Sequence, residues 1–275
     1  MKKFVLFYCI IVLFCSCSSM KNLTYTDYEH SIDLTYLQND IFYVPSFNIS
    51  IENNNYHANF QTGTNINTVS KDIIDELGIE YIDDDFNVNI SQIILGNGIV
   101  LNNVIFHVIE PDDNIIKISL GLSAFKEYNI LVSYKQKKIY LYNIGTTPSN
   151  ITRWVPVTVV FPEEGLYIYS VVDGSNNKYL TLLSTGATLY IGGIFNRHYN
   201  IGLNTNIPVA TFFRSSIYIS GKKYRTHFFN SLSDIEKEDN NLGGLLTDLI
   251  LGYAFFSKYD LFIDNNSRRI YLENP

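Results

Sequence analysis

Gln61-Thr62-Gly63-Thr64 and Ser184-Thr185-Gly186-Ala187-Thr188 are the two stretches that decide the fold of this 275-residue chain. Each closes a segment built on the same plan. Before the first, Ser46 to Ile51 alternates apolar Phe47, Ile49 and Ile51 with polar neighbours, the pattern of a strand with one buried face. Glu52-Asn53-Asn54-Asn55 is a turn, and Tyr56 to Phe60 returns. Before the second, Leu166 to Val172 reads as a strand, Asp173 to Asn177 as a turn and Lys178 to Leu183 as the returning strand.

The correspondence continues downstream. In the first half, Ile93 to Gly98 and Val104 to Ile109 read as a further hairpin. Ile118 to Leu122, Phe125 to Ile130 and Lys138 to Leu141 follow. In the second half, Ser216 to Tyr224 reads as the hairpin, followed by Leu249 to Tyr253, Phe256 to Leu261 and Arg269 to Leu272. The paired glycines are 58 residues apart in the first half (63 to 121) and 66 in the second (186 to 252). One order of elements at two similar spacings is the signature of an internal repeat.

This order resembles that of the retropepsin-like aspartic proteases. There, a hairpin leads into Asp-Thr/Ser-Gly, and an apolar-apolar-Gly segment, a short helix and a closing strand pair come later. Both lobes lie in one chain here, as in pepsin. The resemblance covers about residues 41–273 and implies an all-β, two-lobed double barrel related by an approximate two-fold axis. The few short helices are expected at Val69 to Leu77 and after Gly121 and Gly252. Asp260 and Asp264 match the closing strand pair and are expected to be structural.

The family's chemistry depends on two carboxylates that share one proton across the lobe interface, one acting as base on water and the other as acid toward the substrate. The resemblance places Gln61 and Ser184 at those two positions, each followed by Thr and Gly: Thr62-Gly63 and Thr185-Gly186. Neither an amide nor a hydroxyl titrates near neutral pH. These are therefore degenerate active-site loops with no catalytic residue assigned, and Gln61 and Ser184 are expected to face each other. Ser184 would need a neighbouring base to act as a nucleophile, and His198 lies beyond the expected turn. Two alternatives stay open: a peptidase or hydrolase acting through other residues, and a purely structural envelope lipoprotein.

The totals narrow the partners. The chain carries a formal charge of −7 and has no basic run, which disfavours a phosphate-backbone ligand, so no nucleic acid is expected. Its 21 Tyr and 18 Phe favour strands. The three cysteines, Cys9, Cys15 and Cys17, all precede residue 18, so a disulfide framework is not expected. The five histidines are scattered, and neither a metal nor another cofactor is expected. Asp83, Asp85 and Asn87 satisfy part of a calcium-loop pattern but lack its Gly and Glu, so Asp83-Asp84-Asp85 reads as a solvated turn. Glu236, Glu238 and Asp239 read as a solvated loop.

Lys2-Lys3 followed by the apolar run Phe4 to Phe14 is a secretory leader, too short to span a bilayer. Ser16 before Cys17 resembles a bacterial lipobox, which implies that Cys17 is lipidated and anchors the chain to a bilayer in the bacterial cell envelope, facing periplasm or exterior. The expected organisation is a signal peptide over 1–16, a polar tether over 17–40, a first lobe over 41–145, a connection over 146–165 and a second lobe over 166–275. A monomer is expected, with a peptide or protein ligand in the cleft.

Overall fold

Alternation between buried and exposed residues gives the barrels their inner faces. The computed structural model describes residues 25–39, 42–111, 116–186, 194–195, 212–230 and 247–275. Phe42–Ile51 and Asn54–Phe60 form the first hairpin, burying Phe47, Ile49, Ile51, Ala58 and Phe60. Its turn places Glu52 and Asn53 at φ 49° and 69°, a left-handed conformation that Asn tolerates better than most residues.

The first lobe closes on itself. The strands Phe42–Ile51, Asn54–Phe60, Ile118–Leu120, Thr68–Ser70, Ile99–Ile109 and Asn87–Leu95 are neighbours in that order, with Thr35–Asn39 outside the first. The sixth pairs back onto the first through Ile49↔Leu95 and Ser50↔Ile94. In the second lobe the strands Tyr167–Val172, Tyr179–Leu183, Leu249–Leu251, Ile194–Phe195, Lys222–Asn230 and Phe212–Ile219 form a closed barrel. Strand for strand, the two orders are the same. The directions also match: Asn54–Phe60 runs parallel to Ile118–Leu120, and Tyr179–Leu183 runs parallel to Leu249–Leu251.

A six-stranded antiparallel sheet joins the lobes. Tyr128–Ser133 and Lys138–Asn143 come from the first lobe, and Leu261–Asp264 and Arg269–Leu272 from the second. The lobes meet at its centre, through Ile130↔Ile263, Leu131↔Phe262 and Val132↔Leu261. These strands are buried on both faces, which explains their continuous apolar runs. Ile130, Val132, Leu261 and Ile263 face the main core, while Leu131 and Phe262 face a second cluster with Tyr25, Tyr140, Tyr142 and Trp154.

Two sequence expectations need correction. Residues 25–39 are not a tether. His30–Asp33 pairs with Lys138 to Leu141 at the edge of the joining sheet, and Thr35–Asn39 pairs with Phe42 to Ser46. Tyr25, Ile32 and Leu34 are buried, so the polar residues among them form the outward half of an alternating pattern. The helix expected from Val69 begins at Lys71 instead. Thr68 and Val69 stay extended because they pair with Ser119 and Ile118 on one side and with His107 and Val108 on the other. That helix ends at Leu77 with Gly78 left-handed at φ 63°, a conformation glycine takes without a Cβ clash. Short helical turns follow Gly121 (Leu122–Phe125) and Gly252 (Tyr253–Phe256).

Candidate functional site

The two Thr-Gly loops emerge from equivalent strands and meet between the lobes. The Gln61 N–H donates to the Leu120 carbonyl at 2.8 Å, and the Ser184 N–H donates to the Leu251 carbonyl at 3.0 Å. Each loop is thus pinned to the short strand that precedes the later glycine of its own lobe.

The threonines then lock the lobes together. The Thr62 hydroxyl donates to the Leu183 carbonyl at 2.6 Å and accepts from the Thr185 N–H at 3.0 Å. The Thr185 hydroxyl donates to the Phe60 carbonyl at 2.7 Å and accepts from the Thr62 N–H at 3.3 Å. Both side chains are fully buried, so these are four reciprocal bonds in a dry contact. A threonine hydroxyl suits this role because it donates and accepts at once.

Gln61 and Ser184 sit just in front of this lock. The Ser184 hydroxyl donates to Gln61 Oε1 at 3.2 Å. The glycines make room for the contact. A Cβ on Gly186 would fall 2.4 Å from Gln61 Cδ, and one on Gly63 would fall 3.3 Å from Ser184 Oγ. A side chain at Gly186 therefore displaces the Gln61 amide, whereas Gly63 is less constrained.

No proton-transfer group among the described residues completes the pair. Among the described residues, no carboxylate or histidine hydrogen-bonds to Gln61 or Ser184, and no cluster of three or more His, Cys, Asp or Glu could hold a metal ion. The carbonyl of Gln61 accepts the serine proton's hydrogen bond but is not a base that would remove it. Ala187, Thr188, His198, Glu236, Glu238, Asp239 and Cys17 lie outside the described residues.

Several supporting residues carried no signal in the sequence. Asn67 holds three elements together: its Nδ2 donates to the Ile105 carbonyl at 2.9 Å and to Ser123 Oγ at 3.1 Å, and its Oδ1 accepts the Gly121 N–H at 2.8 Å. Gly121 approaches that loop closely; a Cβ there would fall 2.5 Å from the Ile66 carbonyl oxygen. Behind the second loop, the buried Tyr134 hydroxyl donates to the Thr185 carbonyl. Burial pushes its proton affinity far above that of an exposed tyrosine, so it stays a neutral donor. Its ring packs against Tyr253, which also packs against Tyr36.

The other acids of interest lie elsewhere. Asp83 accepts from the Asp85 and Asn87 N–H groups and from Asn87 Nδ2 in an exposed turn, and those Asn87 bonds hold its carboxyl below the usual range. Asp264 caps the turn to Arg269–Leu272 by accepting from Asn266 N, Ser267 N and Ser267 Oγ. Asp260 is buried under the joining sheet, where Tyr25 donates to it and Lys135 lies 3.7 Å away.

Two β-barrel lobes of one topology, joined by a shared sheet and meeting at paired Thr-Gly loops, define the aspartic-proteinase fold, and this chain has it. The crystal structure of the aspartic proteinase from Irpex lacteus is similar at a TM-score of 0.56 and 11% identity, over 89% of this chain and 97% of that one. No protein-family model and no curated protein matches the chain in sequence.

Proposed function

We propose that this chain is a non-catalytic protein of aspartic-proteinase fold that binds an extended peptide segment in the cleft between its lobes. The observation that carries this reading is the hydrogen bond between Ser184 and Gln61, a neutral pair where the family's mechanism needs a shared proton. Water attack on an amide requires a base, which contributes roughly 10²- to 10⁴-fold. The reciprocal threonine bonds meanwhile hold the two loops against each other without that chemistry. An extended peptide recognised through its backbone needs strand edges and side-chain pockets rather than a catalytic group.

The same proposal places the protein at the bacterial cell envelope, anchored through acylated Cys17 and facing periplasm or exterior as a monomer. Several acyl chains, at about 0.8 kcal/mol per buried CH₂, are enough for a stable anchor.

The test is to incubate the purified protein with a library of long peptides between pH 3 and 8 and to analyse both the bound and the free fractions. Saturable retention of intact peptides that compete with one another supports the proposal. Fragments whose formation is blocked by a pepsin-type inhibitor and lost in Gln61→Ala would overturn it. Fragments insensitive to that inhibitor would favour a hydrolase acting through other residues. Neither retention nor cleavage would leave a structural role.

A further inference from the structure

The hairpin Phe212–Ile219/Lys222–Asn230 carries an unusual outer face for so acidic a chain. Its register sets Arg214 opposite His227, Ser216 opposite Arg225 and Tyr218 opposite Lys223. Strand alternation puts these six side chains on one face, while Ile217, Ile219 and Tyr224 point into the barrel core. Lys258 joins them from the turn after Tyr253–Phe256. The neighbouring Tyr259 ties that turn to the hairpin, its hydroxyl accepting the Arg225 N–H at 3.1 Å and donating to the Arg225 carbonyl at 3.3 Å.

Arg214, Ser216, Arg225, His227 and Lys258, together with Asp173, line a shallow depression of about 750 Å³ on the second lobe. Asp173 is already matched by Lys223 at 2.8 Å and by the Tyr218 hydroxyl at 3.4 Å. The cations left over are Arg214, Arg225 and Lys258. Among the described residues, no carboxylate lies within ion-pair distance of any of the three. This happens in a chain whose formal net charge is −7. Like charges gathered on one strand face destabilise it unless something neutralises them.

We propose that this depression is a binding site for a tetrahedral oxyanion, a phosphate or sulfate group, held by Arg214, Arg225 and Lys258. Two guanidinium forks and an ammonium suit such a group because each fork donates two parallel hydrogen bonds to its oxygens. His227 serves as a built-in reporter. The Arg214 Nε–H donates to His227 Nε2 at 2.9 Å, which requires that nitrogen to be unprotonated. Burial first, then Lys258 and Arg214, hold its proton affinity below that of a free imidazole. Among the described residues, Asp173 and the Lys223 paired with it are the other charges on this face, together with Arg225. A bound dianion offsets the field of the three cations, so it should raise the proton affinity of His227. The site lies outside the paired Thr-Gly loops, and the inference does not depend on the peptide-binding proposal.

The test follows the His227 imidazole by NMR on the purified full chain, assigned with His227→Gln. Sodium phosphate is compared with sodium chloride at equal ionic strength. Saturable shifts and an upward move of the His227 midpoint with phosphate alone are expected. The exposed double variant Arg214→Ala/Arg225→Ala should weaken the response at least about tenfold, with an unchanged circular dichroism spectrum, while Lys138→Ala should leave it unaltered. A second arm uses the Cys17→Ser chain with vesicles of phosphatidylglycerol or of phosphatidylcholine. Sedimentation with phosphatidylglycerol alone, lost in the arginine double variant, identifies a lipid headgroup as the source of the anion, and a response to free phosphate alone identifies a soluble one. Equal responses to phosphate and chloride, together with vesicle binding that does not depend on the two arginines, would overturn the proposal.

Discussion

Thr62→Val removes one hydroxyl from the lock between the lobes without changing the side chain's volume. Two buried backbone groups lose their partner: the Leu183 carbonyl loses a donor and the Thr185 N–H loses an acceptor. Leaving a buried polar group unsatisfied costs about 1–3 kcal/mol, so the two together should destabilise the fold by about 2–6 kcal/mol. For a chain of this size, each kcal/mol moves the melting temperature by about 2–4 °C, which places the expected loss at roughly 4–24 °C. Thr185→Val should behave alike, since its hydroxyl serves Phe60 and Thr62 in the same way. The double variant should lose less than the sum, because the first substitution already loosens the contact that the second would break. The single tryptophan, Trp154, is buried in the aromatic cluster against the joining sheet and supplies a fluorescence signal for thermal and urea unfolding. Thr26→Val, at an exposed threonine, is the control. If Thr62→Val lowered the midpoint by less than about 2 °C, no more than that control, the lock would not be holding the lobes together.

Three further outcomes are expected. Burial pushes the Asp260 carboxyl up to about 6, with Lys135 and Tyr25 opposing the rise and Glu273 adding to it. The folded chain therefore holds an extra proton between the unfolded value of 3.8 and about 6. Its stability should fall as pH rises through that window, by on the order of 3 kcal/mol, and level off above it. Asp260→Asn should abolish that slope and be the more stable form at pH 7; a slope that survives in the variant, read by urea titrations from pH 4 to 7, would assign it to another group. Gln61→Asp with Ser184→Asp should set two carboxylates where a neutral pair stood 3.2 Å apart, and should lower the melting temperature as pH rises through their shared-proton range. A melting temperature equal to that of the wild type at pH 7 would refute this. Cys17→Ser should abolish incorporation of labelled fatty acid and release the protein from membranes, and unchanged fractionation would refute the anchor.

Local pattern alone carried much of this protein. A period of two residues identifies Phe47–Ile51 or Ile217–Ile219 as half-buried strands wherever they end up, because alternation is a property of the extended chain. The repeated order around Thr62-Gly63 and Thr185-Gly186 is legible for the same reason, and it points to the two-lobed fold and to Gln61 and Ser184 as a facing pair. Pairing across the chain was not legible. His30–Asp33 and Thr35–Asn39 look like a polar tether because polar residues such as Asp33 and Thr35 face water, and only their partners at Lys138–Leu141 and Phe42–Ser46 make them strands. The contact of Ser184 with Gln61 and the reciprocal threonine bonds depend on the two lobes meeting, and Lys258 joins Arg214 and Arg225 only through the packing of its turn on the hairpin. Such contacts join residues far apart in sequence, and no local period records which surfaces will meet.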